Sequence, residues 1–458
     1  MNKWIKSVSI VVLIGLASFL TSCANIVPPA GGARDSLPPV LIAALPKDSA
    51  VNISPKQVTL TFSEFVTLQN PQDNIIISPT IKSTPRYDYK LRNVTVVFKD
   101  TLDANTTYTI LFGDAIKDVN EGNIAKNFRY TFSTGKTIDN YGYSGKVILA
   151  EKGKIDSSLI VLLHKNLNDT AIIKEKARYY TKLNGKGEFQ FYNLALGQYR
   201  VYVLPNDFTK KYDDSTKLFA FKSQLLTVNT TAITDTLYAF EAVKREEKKN
   251  TSVVKDDKKI KYTTSLETGV QDLLSPFEVI FSRKLKKIDT TSIILKDTLY
   301  KRVSGYSIDI DSVTHHIRIK YPWKENGFFR LIIDKQAVVD TGGLSLVKTD
   351  TIRFSTRKES DYGSIRLRFT NLKLNQNPVL QFLQSDKIVE SFPITSNELF
   401  RRLFRGGTYE MRILYDANKN GVWDTGNFKT KKQPEIVQLI TKPLAVKSNW
   451  DNEVIIQL

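Results

Sequence analysis

The sequence predicts an all-β protein built from four tandem β-sandwich units in an A-B-A′-B′ order, and three observations carry the prediction. Short runs alternate apolar and polar residues at period two, among them Val58-Thr59-Leu60-Thr61-Phe62, Val94-Thr95-Val96-Val97-Phe98 and Thr107-Tyr108-Thr109-Ile110-Leu111-Phe112, with turn residues between them. No stretch sustains the 3.6-residue period of a long amphipathic helix. A set of segments also recurs in the same order, about 220 residues later. Phe132-Ser133-Thr134 followed by Asp139-Asn140-Tyr141-Gly142 returns as Phe354-Ser355-Thr356 followed by Asp361-Tyr362-Gly363. Ser54-Pro55 before Val58 returns as Ser275-Pro276 before Val279, Asp118 as Asp340, and Gly197-Gln198-Tyr199 as Gly407-Thr408-Tyr409.

Composition fits this reading. The chain has 458 residues, 41% of them hydrophobic, with 22 glycines and 16 prolines, which excludes collagen-like, disordered and multi-span membrane classes. Its length suits about three or four domains. A single cysteine rules out an intramolecular disulfide, a Cys-based zinc site and an iron–sulfur cluster, so the sandwiches must hold together by packing of their inner faces. The formal charge of +19 favours anionic partners.

Taken from the N-terminus, residues 1–22 read as a signal peptide: Lys3 and Lys6, then an apolar run over 7–20 that is short for a bilayer span. The run ends in Leu20-Thr21-Ser22-Cys23, which resembles a bacterial lipobox and implies that Cys23 is acylated and becomes the first mature residue. Residues 23–37, with Pro28-Pro29 and Gly31-Gly32, have no periodicity and read as a tether. This start also resembles lipoproteins common in Bacteroidetes. Members of that group that reach the cell exterior often carry acidic residues just after the cysteine, and none stands here. The expected location is therefore the outer membrane, lipid-anchored, on the periplasmic face rather than the cell surface.

Residues 38–136 resemble a bacterial Ig-like domain of the kind found in surface-layer proteins. The carrying residues are Pro38-Pro39, the run from Val58, Leu102-Asp103-Ala104-Asn105-Thr106-Thr107-Tyr108, Asp118 with Gly122-Asn123, and Phe132-Ser133-Thr134. Tyr108 is expected in the core with its hydroxyl at the rim, and Asp118 is expected to shape a turn. Residues 259–357 are a second, divergent copy that keeps Asn326, Phe329 and Asp340 but loses the Thr-Thr-Tyr signature. Residues 140–242 resemble the transthyretin-like, carboxypeptidase-regulatory-like β-sandwich, through Ser144-Gly145-Lys146-Val147, Asn184-Gly185-Lys186-Gly187 and the Gly197-x-Tyr199 step. Residues 361–458 repeat that step, and the charged stretch 243–258 reads as the linker between the halves.

Catalytic chemistry is not apparent. His164 follows Ile160 and Leu162 at period two and reads as a hydrogen-bonded structural histidine; His315 and His316 are adjacent in an expected strand, which sends them to opposite faces, so they cannot easily grip one metal. No G-x-S-x-G, H-E-x-x-H, P-loop or dinucleotide fingerprint occurs. The expectation is a non-enzymatic structural or interaction scaffold. The alternative is a lipoprotein that binds a glycan or other ligand, with Tyr87 and Tyr89 on one strand face as a stacking platform. A hydrolase with carboxylates brought together only in space comes third. Expected partners are the membrane, through the lipid on Cys23, and envelope proteins or anionic glycans, with nucleic acid excluded by export.

One motif points to a cofactor. Asp416-Ala417-Asn418-Lys419-Asn420-Gly421-Val422-Trp423-Asp424 matches the first nine positions of an EF-hand-type calcium loop. Side-chain oxygens of Asp416, Asn418 and Asn420, the Val422 carbonyl and Asp424 are the expected ligands, with Gly421 at the bend. Asn427 replaces the bidentate Glu of position twelve, so the expected affinity for Ca2+ is weak, on the order of 10⁻⁴ to 10⁻³ M. The competing reading is a plain Asn-Gly turn capped by aspartates.

Overall fold

The computed structural model describes residues 34–229, 233–243, 259–311 and 316–458. The expected signal peptide, Cys23, most of the tether, linker residues 244–258 and His315 lie outside the described residues. The chain is all-β, with 50% of the described residues in strands and 4% in helices.

The alternating runs form strands because one face of each can be buried. In the first unit, Gln57–Phe62 and Asn93–Val97 pair, and Val58, Leu60, Phe62, Val94 and Val96 all lose their solvent contact. They belong to a sheet ordered Leu41–Leu45, Gln57–Phe62, Asn93–Val97, Arg86–Lys90, which packs on a second sheet of Ile76–Ser78, Thr107–Gly113 and Phe128–Ser133. The third unit repeats the plan with Tyr262–Thr264, Phe277–Phe281, His316–Lys320 and Ser307–Ile310 facing Val270–Gln271, Asp350–Thr356, Phe328–Ile333 and Ile293–Lys296.

The second and fourth units share a different plan. In each, a three-stranded sheet contains a parallel pair, Tyr141–Leu149 with Ile233–Ala239 and Tyr362–Thr370 with Asp451–Gln457. The opposing sheets are built on Leu159–His164 beside Gly197–Pro205, and on Pro378–Gln384 beside Gly407–Tyr415.

The internal repeat extends to side-chain detail. Tyr108 stacks on Phe132 with centroids 5.6 Å apart, and Phe329 stacks on Phe354 at 5.7 Å, so phenylalanine takes the place of the lost tyrosine. The Tyr108 hydroxyl accepts from the Asp103 N–H (2.9 Å). Asn105 and Asn326 both hold a left-handed backbone one turn before these rings. Asp118, buried, accepts the N–H groups of Glu121, Gly122 and Asn123; Asp340 accepts those of Gly342 and Leu344. Tyr199 and Tyr409 each donate their hydroxyl 2.9 Å to the carbonyl four residues earlier, Ala195 and Arg405. Gly197 and Gly407 precede them at φ +142° and +152°, where a side chain is strained, which explains the glycine of the Gly-x-Tyr step.

Two expectations need correction. His164 is buried on the strand Leu159–His164 as expected, but its Nε2 has no hydrogen-bond partner. Tyr87 and Tyr89 do not form a platform: Tyr87 packs against the first core from the strand Arg86–Lys90, and only Tyr89 is exposed.

Candidate functional site

The Asp416 motif sits where the strand Gly407–Tyr415 leaves its sheet and does not return until Ile436–Val446. The apolar strand ends at Tyr415 because Asp416 can then satisfy the turn's backbone. One carboxylate oxygen of the buried Asp416 accepts the Asn420 N–H (3.2 Å) and the other the Gly421 N–H (2.7 Å). Gly421 takes φ +79° at the bend. The Asn418 and Asn420 side-chain carbonyls accept the N–H groups of Asn420 and Val422, while both amide NH2 groups donate to Asp424.

The five residues named from the sequence are therefore gathered in one loop, with Val422 exposed on its tip. Glu435 was not foreseen. It lies beyond the nine-residue motif, yet its carboxylate accepts from Ala417 N–H (2.8 Å) and Asp424 N–H (3.0 Å), while its carbonyl takes the Trp423 indole N–H (2.8 Å). Among the described residues, no group of three His, Cys, Asp or Glu side chains is arranged to hold a metal ion.

The loop closes the neck of an excursion, residues 416–435, that docks on the second unit. Phe428 enters a nest of rings from that unit: Phe219 at 5.1 Å, Phe221 at 5.3 Å, Tyr202 at 5.8 Å and Tyr212 at 6.2 Å, all edge to face. Lys431 caps the Phe428 ring at 3.8 Å and reaches Asp169 at 2.7 Å. Gly426 lies so close to Phe240 that an added Cβ would fall 2.6 Å from the ring. Polar contacts fix the register: Thr425 Oγ1 donates to the Glu241 carbonyl (2.6 Å), Gln433 Nε2 to the Phe221 carbonyl (3.0 Å), and Val437 N–H to the Ala150 carbonyl (3.0 Å). Beside the excursion, Arg412 donates to the Glu151 carbonyl (3.1 Å), and its burial pulls its pKa below the usual guanidinium range. The rings on the second unit form a buried cluster on the outer face of its sheet, apart from its sandwich core.

Residues 35–134 match the sequence model of the bacterial Ig-like domain family. No curated protein matches the chain in sequence. Similar solved structures include the TIE protein of Bacillus anthracis, at 10% identity over 94% of this chain and 76% of that one, TM-score 0.17. The major pilin subunit BcpA of Bacillus cereus follows at 10% identity over 69% and 98%, TM-score 0.16. The N-terminal part of the bacterial S-layer protein SbsC is similar at 16% identity over 45% and 44%, TM-score 0.16. The match begins at residue 35, inside the stretch read as tether, and the structure agrees locally: the Asp35 carbonyl accepts from Asn123 Nδ2 (3.1 Å) and Arg34 donates to the Glu121 carbonyl (3.3 Å), both at the Asp118 turn. The chain is thus an all-β protein that carries a bacterial Ig-like domain at residues 35–134.

Proposed function

We propose that this protein is a lipid-anchored structural scaffold of the bacterial cell envelope, held to the outer membrane through Cys23 on the periplasmic face. The observation that carries the proposal is the docking of the fourth unit on the second. Sandwiches strung on linkers bend at every joint, and such chains make flexible spacers. Here the second and fourth units touch directly through residues 416–435, although the third lies between them in the chain.

Contacts between successive units add to this. Arg178 pairs with Asp103 (2.7 Å) and Thr109 donates to Asn193 (3.0 Å) between the first and second units; Glu267 receives Arg357 and Arg405, and the Tyr362 hydroxyl accepts from Leu273 N–H (2.8 Å), between the third and fourth. No catalytic step enters this reading. Weak calcium binding at Asp416, Asn418, Asn420, Val422 and Asp424 belongs to the same proposal: an ion would replace the amide NH2 groups that now face Asp424 and stiffen the neck of the docking excursion. Partners are envelope proteins or anionic glycans. In-cell crosslinking followed by purification tests the role. Defined envelope proteins should co-purify with the wild-type chain, and retained polysaccharide without any protein partner would contradict a scaffold.

A further inference from the structure

A cleft of about 290 Å³ opens between the first and second units. Its wall contains two buried polar atoms without a hydrogen-bond partner, Nε2 of His164 and Oγ1 of Thr80. Such atoms are costly in a folded protein, on the order of 1–3 kcal/mol each, and a pair of them on residues lining one cleft calls for a ligand or solvent.

The charges around them are mostly positive, with Glu175 the one carboxylate in the lining. Lys82, Lys165 and Lys176 line the mouth and are exposed, and none has a carboxylate within ion-pair distance among the described residues. Of the other charged groups there, Arg178 is committed to Asp103 and Glu175 accepts from Asn166 Nδ2 (2.6 Å). Lys176 already donates to the Lys82 carbonyl (3.3 Å), which draws the two lysines together across the unit boundary. Thr80 is held in place by its N–H bond to the Arg178 carbonyl (2.7 Å), and the His164 ring by edge-to-face contact with Tyr202 (5.7 Å). Two unpartnered polar groups are thus fixed in the wall and three ammonium groups ride at the rim.

We propose that this cleft binds an oxyanion, the carboxylate, sulfate or phosphate group of an extracytoplasmic ligand, with His164 Nε2–H and Thr80 Oγ1–H as fixed donors and Lys82, Lys165 and Lys176 as the neutralising charges. Burial keeps His164 neutral at pH 7, its pKa lowered to about 4, so the imidazole serves as a donor without requiring an anion for its own stability. The lining residues make no direct contact with 416–435, but Tyr202, which positions His164, also receives Phe428, so the site adjoins the docking contact.

The chain has only three histidines, so imidazole nitrogen spectra of the intact folded protein resolve His164 directly. The probes are inorganic phosphate, sulfate and an oligogalacturonate, each titrated at constant ionic strength. The proposal expects a saturable shift of the His164 Nε2 signal, with the double variant Lys82→Gln/Lys176→Gln weakening binding by about tenfold and His316 unmoved. Tighter binding of oligogalacturonate than of the inorganic ions would identify a uronic polymer as the source, and the reverse a free anion. No saturable shift with any probe would overturn the proposal and leave solvent as the partner of both atoms, as would a shift of equal affinity in the double variant. Thr80→Val provides a second check: it removes one fixed donor without touching charge and should also weaken binding.

Discussion

Replacing Gly426 by alanine is the sharpest perturbation of the docking contact. The added methyl would lie 2.6, 2.8 and 2.9 Å from three atoms of the Phe240 ring, well inside ordinary contact. Phe240 cannot step aside freely, since it is buried with Phe219 at 6.3 Å and Phe221 at 6.2 Å. Gly426 does not occupy the left-handed region, so alanine adds no backbone strain and the effect is confined to the interface. Overpacking of this kind costs about 1–3 kcal/mol, which shifts the docked-to-undocked ratio by roughly 5- to 150-fold. Hydrogen exchange reads the result. The Val437 N–H, bonded across the interface to Ala150, should exchange faster in Gly426→Ala, while amides in Tyr362–Thr370, within the fourth unit's own sheet, should not change. Unchanged protection at Val437 would refute the idea that this contact holds the two units together.

Other outcomes follow from the same structure. Phe428→Ala, which removes edge-to-face contacts with four rings, should destabilise the docked state by about 2–4 kcal/mol and split thermal unfolding into separate transitions in a calorimeter. Burial raises the Asp118 pKa, but the backbone N–H bonds from Gly122, Glu121, Asn123 and Asn120 together outweigh it and leave the pKa lowered. A depressed carboxylate stabilises the fold above its unfolded pKa, about 3.9, and that contribution is lost as pH falls through the folded value. Acid denaturation followed by circular dichroism should therefore begin at higher pH, from a lower starting stability, when Asp118→Ala removes it, at a cost on the order of 3 kcal/mol at neutral pH. Calcium at millimolar concentration should raise the melting temperature of the wild type and not of Asp416→Ala; equal shifts would leave only a turn. A fatty-acid probe should label the wild type in cells and not Cys23→Ala.

Much of the fold was legible because it depends on local rules. Alternation fixed which faces of Gln57–Phe62 and Asn93–Val97 are buried, and Asp118, Gly197 and Tyr199 mark turns that their neighbours complete. The docking was not legible. Phe428 meets Tyr202, Tyr212, Phe219 and Phe221 from across the chain, and no local spacing relates it to them. Gly426 gave no signal either, since its role is to have no side chain beside Phe240. His164 looked like a satisfied core histidine because period-two spacing reports burial and not bonding. That its Nε2 lacks a partner is a property of the assembled structure, which no pattern around residue 164 reveals. Glu435 escaped for a related reason: it reaches back over a stretch with no fixed spacing to the Asp416 motif.

The central claim is that the second and fourth units are docked. Its most direct test is single-molecule energy transfer between dyes on cysteines placed at Lys154 and Asp386, in a Cys23→Ser background. These two exposed side chains face each other across the contact at 2.9 Å, and their ion pair contributes little when lost. One narrow high-transfer population is expected, converting in part to low transfer when Phe428→Ala is added. A broad low-transfer distribution in the otherwise native chain would show four units on a flexible string and contradict the account.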